Sequence, residues 1–296
     1  MIRAPIGSLP KAAVSLAALI PLLSACVALT ALPRAVIIDA DRNVAVRSVP
    51  CSAGGAVLAL AADSPQALDP RAIRLLTWNI HKQGDPGWQR DLARFVGGND
   101  LLLLQEATLS GGLQAILEDG GLRWVMASSF QYANIDNGVL TATRTMPLRT
   151  CTERAVEPLL RIPKSAVVSW FALAGSTETL AVVNVHAINF SLSLETYQAQ
   201  FAALAAALAS HEGPIVFAGD FNTWTDARLA TVRDAAATLK LAEIPFAEDR
   251  RSVFFGHQLD HILVRGLDVV DAEAIPVESS DHNPVRATFR LRERPR

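Results

Sequence analysis

The sequence has no excess of positive charge. Its 27 Lys and Arg are matched by 29 Asp and Glu, a formal net charge of −2, so the electrostatic footprint of a protein that coats nucleic acid is missing. That weakens the case for bulk binding along a polyanion. It does not exclude chemistry on a phosphate, because a bound divalent cation would supply positive charge locally. Charge of either sign is scarce: 19% of the residues are charged and 50% are hydrophobic, which argues against disorder and leaves apolar surface for a sizeable core. A repeat period and a low-complexity segment are absent, as are the motifs G-x-S-x-G, C-x-x-C and H-E-x-x-H. Repeat architectures and the hydrolase and metal chemistries that those motifs carry lose their support.

Cysteine is rare, at three residues, and one of them belongs to a processing signal. Arg3 and Lys11 precede an apolar stretch from about Ala12 to Leu23, the layout of a signal peptide. The stretch ends in Leu23-Ser24-Ala25-Cys26, which resembles a bacterial lipobox, with the Cys26 thiol as the acylation point. The competing reading is an uncleaved anchor running on through Val27-Ala28-Leu29, which would approach the ~20 residues that span a bilayer, although Pro21 interrupts it. Both readings export the remainder to the cell envelope, on the periplasmic side in a Gram-negative cell, and hold it at the membrane. Cys51 and Cys151 remain, an even pair in a compartment where disulfides persist. They are either bridged or two unrelated small buried residues, and nothing around Cys151 marks it as a nucleophile.

Residues 1–26 are thus read as a lipoprotein signal peptide, 27–70 as a tether with one candidate hairpin, and 71–296 as the functional domain. The tether alternates short apolar runs around a turn-like Asp41-Arg42-Asn43 and ends in Ser64-Pro65-Gln66-Ala67-Leu68-Asp69-Pro70. From Arg71 the chain is a series of strongly apolar segments with polar ends: IRLLTWNIH, DLLLLQEA, WVMASS, GVLTATR, AVVSWFALA, LAVVNVHAIN, PIVFAGDFN, LDHILVR and PVRATFRL. Continuous apolar runs of this length predict strands buried on both faces. Helices are predicted over Trp88 to Val96 and from Ser193, where Ser193 with Thr196 and Gln198 offers a capping box and Gly213-Pro214 a stop. Such a mixture predicts an α/β sandwich of two sheets with covering helices.

Polar groups collect at the strand ends, where a packed sheet presents an open rim. In Gly219-Asp220-Phe221-Asn222 the acid and the amide lie two apart after an apolar strand, so an extended backbone would point both to one side. Glu106 follows four leucines, a costly place for a carboxylate unless a cation or hydrogen-bond donors meet it, and a hard cation such as Mg2+ is a suitable partner. His282, in Ser279-Ser280-Asp281-His282-Asn283, can titrate near neutrality, and Asp260 could orient it. Asn79 and His186 complete the group.

Taken in order, WNIH, LLQEA, GVLTATR, VNVHAIN, GDFNTW, LDHILV and SDHNPV resemble the endonuclease/exonuclease/phosphatase superfamily over about Ile73 to Leu291. GDFN followed by SDH is the specific part. The resemblance implies a four-layer α/β/β/α sandwich of two packed mixed sheets and hydrolysis of a phosphoester with Mg2+ or Mn2+. It implies Glu106 as principal metal ligand with Asn79 close by and Asp281 as a second metal-side carboxylate. Asp220 and Asn222 would position or activate water and bind the phosphate, and Asp260 would orient the essential His282. His186 is similar to the second histidine of the deoxyribonuclease and sphingomyelinase branches. His81 stands where abasic-site enzymes carry an acid, which disfavours that branch. A nucleic-acid substrate is expected ahead of a lipid or inositol phosphate, and the chain is expected to be a monomer. A non-catalytic surface lipoprotein would have lost at least one of these residues, and none is lost.

Other residues have plainer readings. Trp78, Trp124 and Trp170 are expected in the core, and Trp224 either there or in the cleft wall. His211 is expected to face a helix C-terminus, and His257 and His261 to support Asp260. No exposed aromatic hairpin stands out, Phe254-Phe255 being a faint candidate.

Overall fold

The computed structural model describes residues 34–39, 42–47, 49–51, 58–59, 67–191 and 193–293. Cys26 and its lipobox lie outside the described residues. The chain opens with β1 (Arg34–Asp39), β2 (Arg42–Arg47) and the short β3 (Leu58–Ala59). Then come β4 (Ile73–Asn79), α1 (Trp88–Val96), β5 (Leu101–Thr108), α2 (Gly111–Asp119), β6 (Arg123–Tyr132) and β7 (Ile135–Thr143). The second half contains β8 (Arg149–Val156), β9 (Pro163–Ala172), β10 (Thr179–His186), α3 (Glu195–Leu208), β11 (Ile215–Asp220) and α4 (Asp226–Leu239). It closes with β12 (Ala242–Glu243), a hairpin of β13 (Val253–Phe254) and β14 (His257–Gln258), then β15 (Asp260–Arg265), β16 (Leu267–Ala274) and β17 (Val285–Leu291).

Two mixed sheets form, an eight-stranded one ordered β16-β17-β4-β5-β7-β6-β1-β2 and a seven-stranded one ordered β12-β15-β11-β10-β9-β8-β3. They pack face to face. Successive residues of a strand point to opposite faces, so Leu101 and Leu103 enter the layer between the sheets with Phe171, Val182, Val216 and Phe289. Leu102 and Leu104 enter the outer layer under α1 and α2, with Trp78, Phe95, Leu113 and Trp124. The same alternation on β10 and β11 sends Val183, Val185 and Phe217 under α3 and α4, against Tyr197, Phe201 and Val232. Both faces of each sheet are covered, which is why the strands read as unbroken apolar runs. The result is the α/β/β/α sandwich that the sequence predicts.

Two local expectations are corrected. The helix α3 begins one residue later than a Ser193 cap requires: Leu194 holds the cap position and makes no side-chain cap bond, so the capping box does not form. His211 does not act on the end of α3 as a charged group; its Nε2 faces the Pro214 carbonyl at 3.1 Å, and burial lowers its pKa. Trp78, Trp124 and Trp170 are buried as expected. Cys51 and Cys151 are joined by a disulfide across a separation of 100 residues, pinning the segment before the domain to β8.

Candidate active site

The four parallel-running strands β4, β5, β10 and β11 all end at the same edge of the sandwich, and their last residues build the site. Asn79 closes β4 in register with Gln105, and His186 closes β10 in register with Asp220 of β11. The antiparallel β15 begins at this edge, with Asp260 opposite Asp220. Close approach of β10 and β11 is set by Gly219, at φ 142°, where a Cβ would stand 2.0 Å from the Val185 carbonyl; no other residue fits there.

Glu106 reaches the cleft because β5 bulges. Pairing with β7 shifts register between Leu104 and Ala107, and Glu106 itself is left-handed at φ 51°. Gln105 keeps the inward face of Leu101 and Leu103, between the sheets, where its amide donates to Asn184 Oδ1 at 2.7 Å. Two ammonium groups meet the Glu106 carboxylate: Lys82 bonds it directly, and Lys164 of β9 stands 3.8 Å away. Burial opposes its ionisation, but His186, Lys164 and Lys82 outweigh that and hold its pKa down at about 2.

Asp220 and Asn222 share the site, but not through an extended backbone. The chain turns, with Asn222 at φ 51° and its N–H donating to Asp220 Oδ1 at 3.0 Å, a side-chain turn rather than a strand. The Asn222 amide donates to the Ala187 carbonyl at 3.0 Å. The other Asp220 oxygen, Oδ2, accepts from Asn79 Nδ2 at 3.0 Å and lies 3.4 Å from His186 Nε2 and 3.9 Å from His282 Nε2. Opposite it, His282 Nδ1 is 2.7 Å from Asp260 Oδ2. His282 is set in place by its own loop: its N–H donates to Ser280 Oγ, Ser280 donates to the Asn79 carbonyl, and Trp78 Nε1 donates to the His282 carbonyl.

These contacts separate the charges. Burial works against a cationic His282, yet Asp260, Asp220 and the direct Asp260 bond raise its pKa to about 10, so it is an imidazolium at neutral pH. Burial and the neighbouring Asp260 raise Asp220 to about 6, against the pull of His282 and Asn79. His186 goes the other way. Its burial and the Lys164 ammonium push its pKa well down, so a neutral Nε2 accepts from Lys164 at 2.8 Å. A poised carboxylate facing a fixed imidazolium is the pairing that general acid–base chemistry needs.

All eight expected chain residues, Asn79, Glu106, His186, Asp220, Asn222, Asp260, Asp281 and His282, border this one edge. Asp281 is the outermost, its side chain 61% exposed and 3.8 Å from His81 Nδ1; His81 also bonds Asp85 at 2.7 Å. Within the group, Asp220, Asp260 and His282 bring potential ligand atoms within 4.8 Å of one another. The Asp260–His282 hydrogen bond makes them an acid–base set rather than a free cage, since a cation there would have to break it. Glu106 is the better cation ligand: a cleft-facing oxygen donor whose bonding partner Lys82 is 55% exposed and free to swing away. A carboxylate oxygen at the open edge of a cleft that also holds Asn79 and Asp220 is a hard donor that fits a divalent cation.

Three contributors carry no motif. Lys164 follows Pro163 at the start of a strand and looks like an ordinary surface lysine until β9 folds beside β10. Glu157, buried, accepts from the Asn189 and Phe190 N–H groups and lies 3.9 Å from Lys164. Arg228 of α4 donates to the carbonyls of Ile188, Asn189 and Asn222 and stacks between Tyr197 and Trp224, clamping the two loops that carry Asn189 and Asn222. His261 bridges Glu243 and Thr223, supporting the Asp260 strand as expected.

Comparison with known proteins follows the same geometry. The model of the Endonuclease/Exonuclease/phosphatase family matches residues 76–282. A UPF0294 protein of Vibrio campbellii is 42% identical over 231 residues, covering 77% of this chain and 81% of that protein. The human Nocturnin catalytic domain with a bound sulfate superposes with a TM-score of 0.58 at 20% identity, over 76% of this chain and 96% of that one. ANGEL2, a 2',3'-cyclic phosphatase in complex with adenosine-2',3'-vanadate, gives 0.60 at 15% identity, over 76% and 97%. At these identities the two structures show a shared fold.

Proposed function

Because the chain belongs to the endonuclease/exonuclease/phosphatase family, we propose that it is a divalent-metal-dependent phosphodiesterase that attacks phosphate with water. The buried Asp260–His282 pair facing Asp220 is the observation that carries this reading. A Mg2+ or Mn2+ ion held by Glu106, with Asn79 and Asp281 beside it, would supply Lewis-acid neutralisation of charge on the phosphate. The protein's own groups do the rest. Asp220 aligns the attacking water and takes its proton as the new P–O bond forms. His282, cationic at Nε2, faces the oxygen that leaves and gives it a proton as the old P–O bond breaks, while Asp260 fixes the ring through Nδ1. Lys164, hydrogen-bonded to the neutral His186, adds a fixed positive charge on the Glu106 side of the phosphate. Asn222 shapes the cleft floor.

Nucleic acid is the first substrate class of this reading, in keeping with His186 beside GDFN and SDH. A phospholipid or sphingomyelin diester is the second, favoured by the apolar side chains that border the cleft. The chain is further proposed to be exported and acylated at Cys26, consistent with the disulfide. No helix among the described residues is long and apolar enough to cross a membrane. The test is a panel of plasmid DNA, RNA, sphingomyelin and inositol phosphates with purified protein and Mg2+ or Mn2+. Cleavage of one class assigns it; cleavage of none would shift the reading to a binding protein.

A further inference from the structure

Beside Glu106 and Lys164 the cleft continues into a pocket of about 170 Å³ whose outer wall is Phe130, Leu160 and Phe190. Phe190 is 52% exposed, and the wall does not end there. Asn189, its neighbour, accepts from Trp224 Nε1 at 3.0 Å. The Trp224 ring meets Phe255 edge-on at 6.5 Å between centroids, and Phe255 packs on Phe254 at 4.4 Å. Phe254 and Phe255 form the tip of the β13–β14 hairpin, immediately before Asp260, and Phe255 is 75% exposed. The aromatic hairpin that the sequence barely hinted at is thus present and stands at the cleft. Tyr132 and Val156, also exposed, end the strands β6 and β8 at this edge. Among the described residues, the exposed large hydrophobic side chains gather here, with Leu148 and Val270 the exceptions. A contiguous exposed apolar border of this kind marks an interaction surface, not ordinary surface scatter.

The direction of the N-terminal segment says what covers it. Arg34, the first residue of β1, pairs with Ser128 of β6, Ser128 pairs with Gly138 of β7, and Gly138 pairs with Ala107 of β5. The chain therefore enters the sheet on the same rung as Ala107, next to Glu106, about 14 Å away across three strand spacings. From Arg34 back to Cys26 is eight residues, a reach of at most about 28 Å. An acyl chain on Cys26 would hold the membrane within that distance of Arg34, at the end of the sandwich that carries the apolar edge.

We infer that this edge rests on a lipid bilayer, with the Phe254-Phe255 hairpin and the Leu160–Phe190 wall entering the interfacial region and the active-site cleft opening along the membrane surface. The inference rests on the export and acylation reading, and not on catalysis. The full chain, purified from membranes, is reconstituted on vesicles of phosphatidylethanolamine and phosphatidylglycerol carrying brominated acyl chains. Tryptophan is introduced at the hairpin as Phe255→Trp, or at the far end of the sandwich as Arg71→Trp. The emission gained in Phe255→Trp should fall about twofold or more on brominated vesicles, as for a ring at the acyl boundary, and the emission gained in Arg71→Trp should not change. Thermal unfolding at the wild-type temperature shows that both variants are folded. Intact mass of the same preparation reports acylation of Cys26 independently, so a missing anchor is distinguishable from a failed docking surface. Equal quenching of both reporters, or none at Phe255→Trp on acylated protein, overturns the inference. Quenching of that reporter by single-stranded DNA but not by bromolipid would also overturn it, making the edge a base-stacking platform.

Discussion

Replacing Asp260 with Asn removes the charge that favours the His282 imidazolium while leaving the ring in place. The His282 pKa stands at about 10 against an ordinary 6.5, which corresponds to about 5 kcal/mol in favour of the charged ring. Among the groups that raise it, Asp260 comes ahead of Asp220 and also supplies the 2.7 Å bond, so its charge is the main support of the protonated ring. In the wild type, kcat/KM should climb as Asp220 ionises through about pH 6 and fall as His282 loses its proton near pH 10. The sign follows from the roles: the base works deprotonated and the acid protonated. Asp260→Asn should bring the upper limb down by roughly two pH units, and the lower limb should also fall, because Asp260 raises Asp220. The assay is the pH profile of kcat/KM on the substrate that the panel identifies. A loss that deepens about tenfold between pH 7 and pH 9 is expected from that shift. An upper limb that stays near pH 10 would refute the assignment, whatever the loss at neutral pH.

Glu106→Gln keeps the side chain's shape and removes its charge, so turnover should drop and recover in part as Mg2+ or Mn2+ is raised, read as a metal titration. Lys164→Met removes the cation beside His186 and should lower turnover by about tenfold or more; the His186 pKa should move up, because Lys164 pushes it down, which an NMR titration of the ring would detect. Opening the disulfide with Cys151→Ser should cost about 2–5 kcal/mol, measured by denaturant unfolding, with kcat/KM at moderate temperature nearly unchanged because neither sulfur borders the cleft.

Much of this fold is readable because its strands are buried on both faces. LLLLQEA and VVNVHAIN announce themselves as apolar runs that stop in polar residues, and the stops build the candidate site. The strand of Arg149–Val156 is less visible, since RTCTERAV is half polar, and the edge strand LDVVDAEA carries acids on an open side. Helix α2 begins with Gly111-Gly112, poor helix formers that Ser110 rescues by capping Leu113. The spacing of Asp220 and Asn222 identifies both residues but suggests the wrong backbone: pairing is a property of strands, and here the strand has already ended. Lys164, Glu157 and Arg228 leave no local signature, because their roles arise from β9, its preceding loop and α4 being brought beside β10. The Phe254-Phe255 hairpin is only faintly marked; two short strands acquire meaning when their tip is seen against Trp224 and the cleft.

The central claim is that metal-assisted water attack on a phosphodiester runs through His282. It is tested most directly by turnover of one water-soluble phosphodiester by the wild type and by His282→Ala, each with Mg2+ and after chelation. Chelation should silence the wild type, and His282→Ala should lose roughly a hundredfold or more in kcat with no rescue at any Mg2+ concentration. Wild-type turnover that survives chelation, or near-normal turnover by the variant, would contradict it.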